Sequence, residues 1–345
     1  MWEKKIEQAG GLRAKVDTYV LETQIHYPTD ISLLYDSGRK CLDTIDHLMK
    51  YVALEGWRNS QDWRRRLRNE ARRVGQVSAG GGKNKVLRLT YAVNGYLDLA
   101  NTISQKVQAS LKYLEAGLNR VDPMLMVLTI ELKKYHQYLL KLIDQVDRRL
   151  LQGETIPHAE KIFSIFEPHT EWINKGKRHP KVELGHPIMV ATDQFHFILV
   201  HQVVQNQADV ALAQPVVKSI KERYDQFLQS ISFDRGFYSK LNKEALSKEV
   251  NELILPKKGK KNAQEQQEES QKEFVQLRHQ HSAVEANINQ LEHHGLNKCP
   301  DKGIDGFKRY AALGVLAYNL HRLGNLITEQ RQVRRAKAFK RKRAA

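Results

Sequence analysis

Cysteine is almost missing: Cys41 and Cys299 are the only two in 345 residues, and they stand far apart. Neither has a second cysteine at ligand spacing, so the chain is not a disulfide scaffold, and a reducing compartment is implied. Long apolar runs are lacking as well. No window approaches the roughly 20 residues that a membrane-spanning helix needs, and residues 1–11 carry charges instead of the apolar stretch of a signal peptide. Acidic residues are in deficit, with 39 Asp plus Glu against 56 Lys plus Arg, a formal excess of 17 positive charges. Such a surplus, gathered in clusters, favours a polyanionic partner, and charge alone does not separate nucleic acid from an acidic membrane surface. Taken together, these shortages predict a cytoplasmic protein without a membrane span, long enough to bury a core without covalent staples.

Two textures alternate along the chain. From Arg13 to Tyr27, β-branched and aromatic residues follow strand-like spacing until Pro28 and Asp30 stop it, which predicts one strand or a hairpin. From Ile31 to about Leu151, apolar residues recur every three or four positions, the mark of amphipathic helices. AGGGKNK (Ala79 to Lys85) interrupts that block as a linker, and Pro123 after Asp122 suits the first turn of a new helix. Beyond Gly153 strand texture returns in KIFSIFEPHTEWI, HPIMVATD, FHFILVHQVV, SISFD and ELILP. A helix is predicted over PVVKSIKERYDQFLQ, another from about Gln264 through His294, and a last one from about Asp305 to Arg335. Strands alternating with helices predict a mixed α/β core. The helical block then reads as an insertion, after which the chain returns to complete the sheet begun at Lys15 to Tyr27.

Three acids sit where chemistry would use them. Asp17 lies inside the apolar strand KVDTYV, where an unpaired carboxylate is costly to bury. Asp234 directly follows SISF and precedes Gly236, at a switch from strand to loop. Glu285 lies in HSAVEANINQL, on a helix whose Val284, Ile288 and Leu291 pack against something. Carboxylates on separate elements suit a hard divalent cation and phosphoryl transfer. Each also has an ordinary reading: a strand-edge residue, a helix cap or a solvated helix face.

The stretches VDTYVLETQIHYPTDISLLYDSGRK, FSIFEPHTEWINKGK, FDRGFYS and RHQHSAVEANINQLEHHGLNKCPDKGIDGFKRYAALGVLAYNLHRLG resemble those of DDE transposases of bacterial insertion sequences, in particular the ISNCY-like group. The resemblance covers nearly the whole chain. It implies an α/β, RNase H-like mixed sheet flanked by helices, with a large helical insertion after the first strand. It further implies an acidic triad of Asp17, Asp234 and Glu285 holding two Mg²⁺ (or Mn²⁺) ions for DNA cleavage at transposon ends and strand transfer into target DNA. Asp193, ending HPIMVATD, is the rival first acid, and Asp17 is preferred because its whole flanking motif matches. The expected division is 12–30 for the first strand of the core, 31–155 for the insertion, 156–325 for the remainder of the core, and 326–345 for a basic tail. Related enzymes often have Arg four residues before the Glu and Lys seven after it. Here those positions hold His281 and Glu292, and Arg278, seven before Glu285, is the substitute. Sixteen residues precede Asp17, so the resemblance implies a chain lacking the usual N-terminal DNA-recognition region.

Double-stranded DNA is the expected partner, with a homodimer bringing two ends together. The run GWRNSQDWRRRLRNEARRVG offers Arg64, Arg65, Arg68 and Arg72 beside Trp57 and Trp63. It reads either as a helix lying along phosphates or as an ordinary amphipathic helix with buried Trp and solvated Arg. Lys257 and Lys258, with the closing RRAKAFKRKR, are further candidate DNA contacts. AGGGKNK lacks the preceding strand and the Lys-Ser/Thr ending of a nucleotide-binding loop. His279, His281, His293 and His294 near Cys299 do not form a closed zinc pattern. Two rivals remain: a catalytically inactive, truncated DNA-binding derivative of such an enzyme, and a nuclease on the same core that cuts without joining.

Overall fold

The computed structural model describes residues 2–117, 122–174, 181–224 and 227–344, with side chains described up to residue 336. Residues 175–177 of FSIFEPHTEWINKGK, and the side chains of the RRAKAFKRKR tail from residue 337 on, therefore lie outside the described residues. The chain divides into two compact units, one made of Met1–Gln24 with His169–Ala345, the other of Ile25–Pro168.

The first unit is built on β1 (Leu12–Thr23), the single strand into which the apolar run from Arg13 onward folds. It pairs antiparallel with β3 (Val182–Thr192), which also pairs with β2 (Glu171–Asn174) and β4 (Ile198–Val203). On its other edge β1 runs parallel to β5 (Leu228–Phe233), beyond which lies β6 (Glu252–Ile254), and its far end meets β7 (Lys298–Cys299). This seven-stranded mixed sheet, flanked by helices, is consistent with an RNase H-like core, and the helical block enters directly after the first strand.

The alternation of β1 separates two apolar layers. Leu12, Ala14 and Val16 pack with Val216, Val217 and Ile220 of α6 (Asp209–Tyr224). Tyr19 and Leu21 pack with Val284 and Leu291 of α10 (Ala283–Leu291), and with Phe307 and Val315 of α11 (Gly303–Ala344). Lys15 and Asp17 share the parity of Tyr19, so their side chains leave the strand on the side of α10 and α11.

Three elements differ from the sequence expectation. The helix expected over PVVKSIKERYDQFLQ is described only as far as Tyr224, residues 225–226 lie outside the described residues, and Leu228 and Gln229 belong to β5. KIFSIFEPH is not a strand: Ser164 Oγ accepts the backbone N–H groups of Phe166 and Glu167 at 3.2 and 3.0 Å, and this turn absorbs the β-rich run. The helix expected over 264–294 is three pieces, α8 (Ala263–Ser270), α9 (Lys272–His281) and α10. Gln271 is extended between the first two. The first piece buries none of its residues and is held by Lys257–Glu265, Lys261–Glu269 and Lys243–Glu268 pairs, so no continuous apolar stripe enforces one axis.

The second unit packs α2 (Asp30–Leu48), α3 (Ser60–Ala79), α4 (Lys85–Gly117) and α5 (Pro123–Val146) around Leu34, Leu42, Ile45, Tyr96, Ile103, Leu132 and Leu139. Asp122 caps α5 by accepting Met124 N–H at 2.8 Å, with Pro123 in the first turn. Trp57 is buried and its indole N–H donates to Ser110 Oγ at 2.8 Å.

A close backbone approach in the sheet fixes one residue. A Cβ on Gly185 would lie 2.0 Å from the carbonyl oxygen of Leu21 on β1. Gly185→Ala is therefore expected to destabilise the protein by about 3 kcal/mol or more, the upper end of overpacking costs. Urea unfolding of the two proteins measures it, and an unchanged midpoint would contradict the packing described.

Candidate active site

The parallel pairing of β1 and β5 determines where two acids stand. The register ends at Val16 opposite Phe233, so Asp17 and Asp234 are the next residues on neighbouring strands, Asp17 midway along β1 and Asp234 just past the carboxyl end of β5, one of the parallel strand ends of the sheet. Ligands of open α/β sheets collect at such ends. Asp234 leaves β5 into a short 3₁₀ turn (Arg235–Phe237), whose Gly236 N–H it accepts at 3.5 Å. Glu285 enters from the first turn of α10 and is exposed, as is Asp234.

These carboxylates feel one another. Asp17 is pushed up to about 6, first by burial and then by the like charges of Asp234, Asp209 and Glu285, against the pull of the Thr18 N–H on its Oδ1 at 2.7 Å. Asp209 opens α6, and its Oδ1 accepts the Thr18 hydroxyl at 3.1 Å. Burial, with Asp234 adding to it, also raises the Asp209 carboxyl, while Thr18 and Lys258 oppose the shift. A Cβ on Gly236 would come within 2.8 Å of Asp209 Oδ2, so the glycine lets the loop after Asp234 close onto this acid. Sequence reading passed over Asp209 because an Asp in a helix's first turn has an ordinary role toward the helix dipole. The available signal was its place just ahead of the strand that delivers Asp234.

His281, one turn before Glu285, faces Ser232 Oγ through Nδ1 at 3.0 Å. Burial lowers its basicity to about 4, with Asp234 working against that shift and Lys15 adding to it. The ring is therefore neutral at pH 7. Asp193 has a different task. It is fully buried in the β3–β4 turn, where Oδ1 accepts the N–H groups of Phe195 and Phe197, both at 2.8 Å, and Oδ2 accepts the indole N–H of Trp2 at 2.6 Å.

The basic candidates divide by what they touch. Arg64 is spent within its own unit, on Asp43 (3.0 Å), the Leu42 carbonyl (3.3 Å) and Asp46. Arg65 meets Asp62, and Arg68 meets the Tyr35 hydroxyl at 3.4 Å, while both stay exposed, as does Arg72. Lys257 is held by both oxygens of Glu265. Lys258 is exposed and acts on Asp209. Arg278 reaches Glu269 only at 3.9 Å.

A transposase DDE domain family model matches residues 138–320, more than half of the chain. The chain belongs to that family. Asp234, Asp209, Asp193 and Glu285 fall inside the matched segment, and Asp17 precedes it. No curated protein and no solved structure matches the chain.

DDE domains use divalent metal ions in transposition-related DNA cleavage and transfer. As they stand, no three His, Cys, Asp or Glu side chains among the described residues form a group able to hold a metal ion. The donor chemistry nevertheless fits one: Asp17 lies within electrostatic reach of three other carboxylates, all hard oxygen donors, and burial with mutual repulsion makes its charged form costly until a cation arrives.

That cost gives a pH signature. Between the unfolded value near 3.8 and about 6, the folded chain keeps a proton on Asp17 that the unfolded chain releases, so stability falls as pH rises through this interval. Asp17→Asn removes the penalty. In EDTA the variant is expected to be more stable than the parent at pH 7, by about 2–3 kcal/mol, and equal to it below pH 4. Thermal unfolding across this range checks it, and a variant less stable at pH 7 would refute the charge accounting.

Proposed function

We propose that this chain is a DNA transposase that cuts at the ends of an insertion sequence and joins the freed 3′-hydroxyl to target DNA, with Asp17, Asp234 and Glu285 as its metal-holding acids. The observation that carries this reading is the mutual electrostatic pressure of those three carboxylates where the parallel pairing of β1 and β5 stops beside the first turn of α10, in a chain of the DDE family. Two Mg²⁺ or Mn²⁺ ions would bind there, supplying Lewis acidity that activates water or a 3′-hydroxyl and offsets charge at the phosphate. Asp17, fixed by its strand, and Asp234, fixed by its turn, hold one side of the centre, and Glu285 closes it from α10. Asp209 anchors Thr18, which steadies the backbone carrying Asp17. Neutral His281 keeps the Ser232 hydroxyl oriented beneath the centre without adding charge. Lys258, Arg278 and the exposed arginines of α3, Arg65, Arg68 and Arg72, supply contacts to DNA phosphates in this reading. Among the described residues no helix is long and apolar enough to cross a membrane. The working compartment we propose is the bacterial cytoplasm, on the nucleoid.

Calorimetry with Mn²⁺ on the parent chain and on Asp17→Asn, Asp234→Asn and Glu285→Gln tests the assignment, alone and with a DNA duplex present. Each substitution is expected to weaken metal binding at least tenfold and to abolish strand cleavage. Equal metal affinity in all four proteins would overturn the triad. Salt-sensitive DNA binding indifferent to metal would then favour the inactive DNA-binding derivative.

A homodimer is part of the same reading, and α11 supports it. Its inner face buries Phe307, Ala311, Val315 and Tyr318, while Leu313, Leu316, Leu320 and Leu323 stand 57%, 54%, 59% and 40% exposed on another face. Their alternating spacing of three and four is that of a coiled-coil seam. The flanking positions Ala312, Ala317, Asn319 and Gly324 carry no charge, so a like helix of another strongly basic copy meets no repulsion along the stripe, and DNA finds no cation there. Leu316→Glu with Leu320→Glu is expected to convert a dimer to a monomer in sedimentation equilibrium while leaving the far-ultraviolet circular dichroism intact. A parent chain already monomeric at tens of micromolar would remove this interface.

A further inference from the structure

We propose that the cleft between the start of β1 and the junction of α9 with α10 is a phosphate subsite, built to grip a backbone phosphodiester of the DNA strand that enters the acidic centre. The cleft holds about 350 Å³ and is lined by Arg13, Lys15, Gln194, His196 and Gln280, with Ala9 and Ala283 at its edges. None of its lining residues is acidic.

Lys15 is the central observation. It is 7% exposed, yet its ammonium has no hydrogen bond or ion pair among the described residues. A largely buried lysine without a hydrogen-bonded partner holds its charge at a cost, and an anion entering the cleft would offset it. The acid that acts on it, Asp193, already accepts three N–H groups in the β3–β4 turn. Nearby, the Arg13 Nε donor and the ring nitrogen His281 Nε2 are buried without a hydrogen-bond partner. The cleft therefore offers donors in excess of acceptors, as an anion site requires.

Its rim is held in place. His196 adopts a left-handed backbone with φ 68°, and its Nδ1 meets Asn287 Oδ1 at 2.7 Å. Asn287 lies on α10 two residues beyond Glu285, so the helix that presents the acid also steadies the wall of the cleft. Gln194 is fixed by accepting Arg13 N–H at 3.0 Å and donating to the Gly11 carbonyl at 2.8 Å.

Position gives the ligand its class. Arg13, Lys15 and Asp17 alternate along the same face of β1, so the cationic cleft and the acidic centre lie one strand repeat apart, roughly 6.6 Å per step of two residues. A polyanionic strand passing over the acids brings its next phosphate toward Lys15. Identification of the anion as DNA rests on the transposase reading, whereas the existence of a phosphate site does not.

The test compares the full chain with Lys15→Met, which keeps the side chain's length and removes its charge, and with Lys15→Arg. Inorganic phosphate titrated by calorimetry in EDTA is expected to bind the parent and Lys15→Arg, and to bind Lys15→Met at least tenfold more weakly. Fluorescence anisotropy with a labelled DNA duplex, also in EDTA, is expected to show Lys15→Met weakened, with the slope of log affinity against log salt smaller by about one. Gln280→Glu, which places a carboxylate at the mouth of the cleft, should reproduce both losses if Lys15→Met does not fold. Phosphate affinity equal in parent and both variants would overturn the subsite. Loss of phosphate binding with unchanged DNA affinity would overturn its assignment to DNA and leave a site for a free anion. Asp234→Asn is expected to retain phosphate binding, so a failure of the metal triad would be read separately.

Discussion

Everything in the sheet-bearing unit turns on placing a carboxylate in the middle strand of a sheet. β1 is paired on both edges as far as Val16, with β3 antiparallel and β5 parallel, and Asp17, the next residue, stays paired with Val190 of β3, which holds its backbone beside its neighbours. Burial then raises the cost of its charge, and the acids gathered around it raise that cost further. The surrounding groups limit the damage: Thr18 N–H stabilises the charged form, the Thr18 hydroxyl occupies Asp209, and His281 stays neutral beside Ser232. The remaining imbalance is negative and local, which suits a site completed by a divalent cation.

The chain is strongly basic as a whole, yet much of that charge is already committed. Arg64 ties α3 to Asp43 and Asp46 on α2. Lys257, Lys261 and Lys243 pin α8, which buries no residue of its own. These pairs set the geometry of their segments more than they attract a partner, since partly exposed ion pairs contribute little net energy. The cations left for a polyanion are those on outward faces, such as Arg72 and Lys258, together with the largely buried Lys15, which has no ion pair among the described residues.

How much could be read from the sequence follows from the range of each signal. The apolar alternation around Asp17 and the helical periodicity after Ile31 are local, and they yield the mixed α/β sheet interrupted by a helical block. KIFSIF misled because residue preferences favour a strand there, while one serine hydroxyl binding two backbone N–H groups closes a turn. The long helix expected over 264–294 misled because its first third shows no burial to set an axis. Asp209 was invisible for another reason: its meaning lies in Thr18 and Gly236, 191 positions before it and well after it along the chain. Lys15 was hidden likewise, since a lysine in a strand reads as an edge residue until both edges are seen to be paired.

The break between α9 and α10 shows how a site survives an irregular scaffold. Ser282 remains in the right-handed region at φ −56° and ψ −18°, and Glu285 N–H still donates to the Ser282 carbonyl at 3.1 Å. The helical phase therefore carries through, and His281 and Glu285 keep their one-turn relation on the side facing β1 and β5. Above the break, α9 buries none of its own residues, whereas below it Val284, Asn287, Ile288 and Leu291 are all buried. Glu285 thus rides on the packed half of the hinge, and His281, at its loose edge, is held by Ser232. A rigid mount for Glu285 and a tethered margin at His281 are what the proposed metal centre would need if a long polymer entered it from the side.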